Sequence, residues 1–579
     1  MLLVRRYAWR VLPLLLLLAF YWPGLTNWFY QDDFGWLNLR HDVQSLRDLG
    51  PALFAPKAHG NIRPLGENAY FLVLSSLFGV DALPFRICAF GFQMASLLLL
   101  GSIVARLTKS RAAGFCAQIL WMADSGLAAA MCWTSIFNQI LSGFFFLLAF
   151  WFFLRHIESG AARDAAGHWA AFVLGLGALE INVVYPAIAA AYALLFARAH
   201  LKKALPTFAV SALAIGAHFH FAPAPGAGVY ALHWDGGIFG TLWTYWMWAL
   251  GPSRSIAWLL TGAVLALLVW CTVKRQWLGI FGIAWFAITI GPYLQLSEHK
   301  MDYYLTVPAI GIAILGGWAM ARVWRPALIG AAIYLTACVP HAWSIVQWNH
   351  ARGTRVEDMV LGVAQIHEAQ PGQYILLDGV DSDLFWSGIA DLPFRAMEIP
   401  HVYLSPGSEA RIQAPADLVV KYVLPEAPAW RALQDGRLAV YQAGDGALRN
   451  VTSRYRTMAG AVWKPETPRF INLGDDAFAA YLGAGWEPCA QGYRWLRGTG
   501  TVRIGGARQA GERLHVGIFR TTPFQLLVRF NGVPVTAEIS HRGGELTELV
   551  FPAGAGPEIQ VTLENLESEP LRFGYLEVN

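Results

Sequence analysis

Long apolar segments dominate the first 345 residues of the chain and constrain its fold more than any other feature. An apolar segment of about 20 residues is long enough to cross a bilayer as an α-helix. The sequence is 56% hydrophobic and only 14% charged, whereas a soluble protein carries about 25% charged residues. We therefore expect a polytopic α-helical membrane protein of about eleven spans, near 11–29, 85–107, 112–130, 137–155, 168–179, 183–199, 204–221, 255–273, 277–295, 304–321 and 326–345.

The basic residues of the short loops fall on one side of the predicted membrane. Arg5, Arg6 and Arg10 precede the first span, and later basic residues follow every second span, as cytoplasmic loops require. These later residues are Lys109, Arg111, Arg155, Arg163, Arg198, Lys202, Lys203, Lys274, Arg275, Arg322 and Arg325. The N-terminus is therefore predicted to be cytoplasmic, and residues after about 346 to lie outside the cytoplasm. The short segments 168–179 and 183–199 could instead form one broken re-entrant pair.

The tail beyond residue 345 changes composition twice. From 346 to 455, short strand-like runs mix with polar helical stretches, which predicts a small α/β module. From 456 to 579, alternating segments are separated by turns, and Asn531-Gly532 is a strong hairpin signal. This part is predicted to be a β-sandwich. The small net charge of +4 gives no reason to expect a nucleic-acid partner.

An acidic pair, Asp32 and Asp33, follows the first apolar segment at the start of a long outer loop, 30–84. Aspartate is a good N-cap, so the pair could simply begin the helix predicted around 36–40. Carboxylates at the mouth of a membrane protein could also act as general bases toward a hydroxyl. The apolar stretch 68–80 in the same loop is predicted to lie along the membrane interface as a helix.

Several cations are predicted on the same outer face. Arg63 could hold a phosphate through two hydrogen bonds, or it could be an arginine that reaches from the interface to water. His59 lies in the same loop, and Arg254, His299 and Lys300 lie in later outer loops. A cation there would stabilise the charge that develops on a leaving phosphate.

Glu180 lies at the break between two short apolar segments. An acidic residue at membrane depth is a functional candidate, because burying its charge is costly. The alternative is a carboxylate that faces water at the end of a helix.

Seven short motifs follow one another on the predicted outer side of residues 1–345. They are the acidic pair, Arg63-Pro64-Leu65, Leu77-Phe78-Gly79, Phe85-Arg86, Trp133-Thr134-Ser135 with Asn138-Gln139, Leu179-Glu180-Ile181 with Tyr185-Pro186, and Glu298-His299-Lys300 with Tyr303-Tyr304. In this order they resemble the GT-C class of polytopic glycosyltransferases, such as protein O-mannosyltransferases and aminoarabinose transferases. Leu179 departs from the class, which has a lysine before the glutamate. In the tail, Gly485-Trp486 with 493–495 resembles β-sandwich domains appended to some envelope glycosyltransferases.

The resemblance implies a glycosyltransferase that moves a sugar from a polyprenyl-phosphate donor to a lipid, glycan or protein acceptor, with inversion. The resemblance implies that Asp32 is the general base. It also implies that Asp33 is its partner, which would orient the acceptor or bind a divalent metal. Arg63 and Lys300 are the first phosphate-binding candidates, with His59, Glu180, Arg254, His299 and Tyr303 as further substrate contacts. The location implied is a bacterial-type cytoplasmic membrane, with the tail on the periplasmic side. No cofactor is certain.

Two other classes of function stay open. A transporter or flippase of lipid-linked saccharides would show inverted sequence symmetry and polar residues deep in several spans, and the sequence shows few such residues and no symmetry. A non-catalytic envelope protein that binds glycans through its β-sandwich would not need Asp32 or Asp33.

Overall fold

The computed structural model describes residues 2–57, 60–223, 226, 228–444, 446–463, 466–490, 492–520, 522–543 and 546–579. The chain divides into two compact units, Met1–Thr354 and Arg355–Asn579. The division falls within one 46-residue helix, Trp324–Ala369, which contains Pro340. This helix extends the apolar segment predicted at 326–345 into polar residues.

The first unit is helical, and each predicted apolar segment corresponds to helix, so the polytopic helical fold is confirmed. Among the described residues, five helices are long and apolar enough to cross a membrane, or six if one bent pair counts as a span. The figure of eleven spans stays a prediction. The α-helices are Leu2–Phe20, Trp22–Leu25, Asp33–Leu37, Leu39–Asp42, Leu49–Phe54, Tyr70–Phe78, Ala82–Thr108, Arg111–Met122, Ser125–Cys132, Phe137–Ser159, Ala162–Ala178, Tyr185–Phe196, Leu201–Phe221, Gly237–Leu250, Arg254–Val273, Trp277–Ile290, Ala309–Arg322 and Trp324–Ala369.

The segment predicted as one span at 112–130 is broken into two helices. Arg111–Met122 and Ser125–Cys132 meet at an angle of 66°. Asp124 causes the break, because its carboxylate accepts a hydrogen bond from the Gly126 amide, 2.9 Å away, and so begins a new helix.

Short helical turns of other kinds lie at the ends of several helices. The segment Glu180–Val184 is a 3₁₀ turn between Ala162–Ala178 and Tyr185–Phe196, at the break that the sequence predicted. Further 3₁₀ turns are Thr134–Ile136, Arg198–His200, Gly291–Tyr293 and Asp302–Leu305. Pro64–Ala69 is a π-helix, an uncommon form that is found frequently at functional sites.

Glycine lets two helices of this unit pack closely. A Cβ atom on Gly311 would lie 2.4 Å from the carbonyl oxygen of Gly282 on the neighbouring helix. Small residues at such a crossing allow the backbones to approach, which is a main source of packing energy between helices in lipid. The pair Trp277–Ile290 and Ala309–Arg322 depends on this contact.

The second unit contains the predicted α/β and β-sandwich elements. Val402–Leu404, Tyr374–Asp378 and Leu438–Gln442 form a parallel sheet, extended by the antiparallel Arg449–Asn450. The α-helices of this unit beyond Ala369 are Ser382–Gly388, Pro393–Ala396, Ala416–Val419, Glu426–Gln434 and Thr452–Val462, and its 3₁₀ turns are Ser408–Ala410, Val420–Tyr422 and Asp476–Tyr481.

The sandwich consists of two antiparallel sheets. One has the order Val533–Val535, Leu526–Phe530, Ile559–Asn565, Thr499–Ile504. The other has the order Ile539–Gly543, Leu546–Pro552, Arg513–Ile518, Leu571–Val578, Tyr493–Leu496, Trp486–Ala490, with Phe470–Asn472 also paired to Leu571–Val578. The turn predicted at Asn531-Gly532 has φ values of 47° and 87°, as the hairpin requires. One buried core joins the parallel sheet and the sandwich, and their separation into modules 346–455 and 456–579 stays a prediction.

Candidate active site

The two members of the acidic pair have opposite environments. Gln31 lies in the left-handed region with φ of 57°, and the turn it makes leaves Asp32 exposed and Asp33 fully buried. Asp32 occupies the N-cap position of Asp33–Leu37, but its side chain makes no capping hydrogen bond. The capping explanation of the pair is therefore not supported by the geometry.

Asp33 is held by donors from two segments. Its Oδ1 accepts hydrogen bonds from the backbone amide of Ser135 at 2.7 Å and from the Ser135 hydroxyl at 2.5 Å. Its Oδ2 accepts from the Tyr30 amide at 3.2 Å. Burial raises the pKa of Asp33 to about 6, although nearby Arg86 and the Ser135 hydroxyl act in the other direction. Asp33 thus ties the acidic turn to the segment after Ser125–Cys132.

Arg86 is the charge that faces Asp33 from the helix Ala82–Thr108. Its side chain is buried, and it donates to the carbonyl oxygens of Asn27 at 3.3 Å and Trp28 at 3.5 Å. A buried carboxylate requires such a partner, because an unpaired buried charge is strongly destabilising.

The backbone before the acidic turn is fixed by Tyr30. The Tyr30 ring stacks on Trp133 with ring centroids 5.7 Å apart, and its hydroxyl donates to Oδ1 of Asn349 at 2.5 Å. Arg352 lies about one turn after Asn349 in the helix Trp324–Ala369 and donates a hydrogen bond to Oε1 of Gln31 at 3.0 Å. These contacts hold rigidly the turn from which Asp32 projects.

Asp32 faces aromatic side chains from two later outer loops. The pKa values of the Tyr303 and Tyr230 phenols are raised. Burial is the largest cause, and the negative charge of Asp32 also raises both values. Tyr303 contacts Trp133 edge to face, with centroids 6.2 Å apart, and Tyr230 packs on the ring of His299 at 4.3 Å. The exposed carboxylate of Asp32 is therefore near enough to these phenols for its charge to act on them, and aromatic side chains are typical of sites for organic substrates.

Arg63 binds two carboxylates. Its Nε lies 2.9 Å from both oxygens of Glu180, and its Nη1 lies 2.5 Å from Oε1 of Glu67. Glu67 is buried within the π-helix and also accepts from Nδ2 of Asn138 at 2.5 Å. Burial raises the pKa of Glu67, and Arg63 opposes that shift. The structure thus brings together Arg63 and Glu180, which are 117 residues apart in the sequence.

The other predicted site residues lie in different surroundings. Lys300 donates through Nζ to the carbonyl oxygen of Ser297 at 2.5 Å. Arg254 is exposed at the first residue of the helix Arg254–Val273. His59 lies outside the described residues.

Sequence reasoning placed Arg86 and Ser135 in motifs without assigning them a role, and it missed Glu67 and Arg352. Glu67 carries a usable signal, since it follows Arg63 at a spacing of four, at which helical side chains meet. The sequence analysis ended the membrane part at residue 345 and therefore assigned Arg352 to the tail. Its guanidinium lies 5.9 Å from the centre of the Tyr30 ring and 4.9 Å from that of Trp348.

A divalent metal on Asp33 does not fit these surroundings. The groups against its oxygens are the donors of Ser135 and Tyr30, whereas a metal ion needs further oxygen or nitrogen ligands. Within the described part of the chain, no group of three or more His, Cys, Asp or Glu side chains is arranged to hold a metal.

The helices and the β-rich C-terminal unit define a multi-pass membrane protein with a large appended unit. No family model matches the chain, and no curated protein matches its sequence. Among solved structures, the chain is similar to ArnT from Cupriavidus metallidurans bound to undecaprenyl phosphate, with 13% identity, a TM-score of 0.44, and coverage of 78% of this chain and 95% of that one.

Two further solved structures are similar over longer stretches. The oligosaccharyltransferase of Archaeoglobus fulgidus, in complex with Zn and sulfate, has 11% identity, a TM-score of 0.38, and coverage of 99% and 97%. The arabinosyltransferase EmbB of Mycobacterium smegmatis has 13% identity, a TM-score of 0.30, and coverage of 99% and 64%. All three belong to the GT-C class, the class that the sequence resembles.

Proposed function

We propose that this protein is a membrane glycosyltransferase that transfers a sugar from a polyprenyl-phosphate-linked donor to a hydroxyl of a lipid, glycan or protein acceptor. The observation that supports this most directly is the exposed carboxylate of Asp32, projected from a turn that the buried Asp33 and Ser135 hold in place. A general base needs an exposed carboxylate that is held in a fixed geometry.

In the proposed reaction the acceptor hydroxyl attacks the anomeric carbon of the donor sugar. The new bond joins the acceptor oxygen to that carbon, and the bond from the carbon to the phosphate oxygen breaks on the opposite side, which inverts the configuration. The acceptor proton passes to Asp32, and the electron pair of the broken bond leaves with the polyprenyl phosphate.

The leaving phosphate needs a cation, and the contacts of Arg63 make it a weaker candidate than the sequence predicted. Two carboxylates, Glu67 and Glu180, already neutralise its charge. We propose Arg352, beside the acidic turn, and Lys300 as the phosphate-binding cations. The role proposed for Arg63 is to hold the carboxylates of Glu67 and Glu180 in place.

The orientation in the membrane is part of the proposal. The basic residues of the short loops favour a location of the acidic turn and of the C-terminal unit outside the cytoplasm. A lipid-linked donor suits that side of the membrane, because a transfer from it requires no soluble nucleotide sugar.

A transfer assay tests the proposed function. Purified protein in bilayers would receive radiolabelled sugars on undecaprenyl phosphate, the lipid bound by ArnT, together with envelope lipid and glycan extracts as acceptors. We expect the label to move to an acceptor with inverted anomeric configuration, read by NMR of the product. Movement of intact lipid-linked sugar across the bilayer without bond cleavage would indicate a flippase instead and would contradict the proposal.

A further inference from the structure

An aromatic patch, defined here as Tyr493, Trp495, Phe519 and Arg572, lies on the face of the seven-stranded sheet that points away from the sandwich core. Within Tyr493–Leu496, the side chains alternate between partly exposed and buried, and Arg494 and Leu496 point inward. Tyr493 and Trp495 therefore point outward. Their rings meet edge to face with centroids 5.5 Å apart, and Phe519 lies 6.1 Å from Tyr493.

Arg572 completes the patch from the neighbouring strand. It is directly opposite Trp495 in the register of Leu571–Val578. Its guanidinium carbon lies 5.4 Å from the centre of the Tyr493 ring and 5.7 Å from that of Trp495. Such cation–π contacts hold a guanidinium flat beside aromatic rings while its edge can still bond to a ligand.

A cavity of about 360 Å³ opens beside the patch, and its lining includes Trp495, Phe519, Arg520, Thr522, Glu569 and Arg572. This volume lies at the lower end of the range of small-ligand sites, which is about 300–1,000 Å³. Arg520 is oriented by a hydrogen bond from its Nε to Oγ1 of Thr522 at 2.9 Å. The described lining residues include two guanidinium groups and one carboxylate, so the charge of the cavity favours an anion.

We propose that this cavity binds an anionic saccharide, one whose sugar rings carry carboxylate groups. A pyranose ring has a face of C–H groups that packs on an aromatic ring, and hydroxyls at its edge that bond to polar side chains. Trp495 and Phe519 supply the aromatic surface. Arg520 and Arg572 bind the carboxylate through their paired N–H groups, and Glu569 accepts from sugar hydroxyls. The site does not rest on the transfer reaction proposed above.

Isothermal titration calorimetry of the full-length protein in nanodiscs, without donor lipid, tests the site. The acidic probe is tetragalacturonate, and the neutral probe of the same length is galactotetraose. We expect tetragalacturonate to bind at least tenfold more tightly than galactotetraose. Trp495→Ala should weaken binding of tetragalacturonate at least tenfold, Trp495→Phe should weaken it less, and Arg520→Gln should reduce the preference for the acidic probe.

Trp386→Ala is the matched control, since it removes another partly exposed tryptophan of the same unit. Its affinity for tetragalacturonate should equal that of the unaltered protein, and circular dichroism would verify that each variant is folded. The absence of binding by either probe, equal affinity for both probes, or an unchanged affinity in Trp495→Ala would each overturn the proposal. Sugar transfer measured on the same preparations reports the enzymatic function separately.

Discussion

Ser135 donates two hydrogen bonds to the same carboxylate oxygen of Asp33, one from its backbone amide and one from its hydroxyl, across 102 residues of sequence. This contact helps to hold the outer loop, because it joins the acidic turn to the 3₁₀ turn Thr134–Ile136 that follows the helix Ser125–Cys132. The exposed neighbour, Asp32, takes its direction from this buried anchor.

Removing the Ser135 hydroxyl should loosen the acidic turn. Ser135→Ala keeps the hydrogen bond from the Ser135 backbone amide but removes the one from its hydroxyl to the buried Asp33 carboxylate, which we expect to cost about 1–3 kcal/mol. The measurement is the free energy of unfolding in detergent. The control is Ser45→Ala, which removes a hydroxyl bond to the partly exposed Asp48 and should change stability by less. Equal effects in the two variants would show that Asp33 does not anchor the turn.

The raised pKa of Asp33 predicts how stability depends on pH. The folded protein holds the proton up to about pH 6, whereas the unfolded chain releases it near 3.8. Folding therefore takes up a proton between these values, so the contribution of Asp33 to stability is fully present below about pH 4 and is lost as pH rises through 6. At 1.36 kcal/mol per pKa unit, the change is about 3 kcal/mol. Asp33→Asn should flatten the profile of melting temperature over this range, and an unchanged slope would refute the assignment.

The two partners of Arg63 should differ in their effect on stability. The Glu67 side chain is 4% exposed, and that of Glu180 is 34% exposed. Glu67→Gln weakens a buried pair and should cost about 3 kcal/mol, while Glu180→Gln should cost less than about 1 kcal/mol because water screens that pair. Thermal unfolding of both variants side by side checks this order, and the reverse order would contradict the burial of Glu67.

The close helix crossing at Gly311 gives a prediction about packing. In Gly311→Ala the new Cβ would lie 2.4 Å from the Gly282 carbonyl oxygen, so the helices must separate, at a cost of about 1–3 kcal/mol. Gly330→Ala is the control, because among the described residues no atom beyond its own stretch of helix lies within 4 Å of the added Cβ, and it should be neutral or slightly stabilising. Equal melting temperatures for the two variants would contradict the crossing.

The helical elements were largely predictable from the sequence, because an apolar run of membrane length has few structures open to it. The hairpin at Asn531-Gly532 was equally predictable, since its turn type requires those residues. The break at Asp124 was not predicted, because one polar residue barely changes the mean hydropathy of a span. The sequence predicted that the last helix of this unit ends near 345, whereas the helix Trp324–Ala369 is longer. Its second half is polar, so hydropathy gives no signal for it.

The candidate site was predictable only in part. The position of Asp32 at the mouth of the helical unit follows from local sequence and loop charge. The different burial of Asp33 depends on contacts with Ser135 and Arg86, which are distant in sequence. The pairing of Arg63 with Glu180 likewise requires the fold, so the sequence alone assigned Arg63 to a phosphate and left its carboxylate partners unrecognised.

The most direct test of the central claim is the rate of sugar transfer in Asp32→Asn against Asp48→Asn, a matched change at a partly exposed aspartate of the same loop. Loss of a general base lowers rates by about 10²–10⁴-fold, so we expect Asp32→Asn to lose at least a hundredfold in kcat with unchanged stability. Asp48→Asn should retain the rate of the unaltered protein. Transfer at full rate by the Asp32→Asn protein would contradict the assignment of Asp32 as the base.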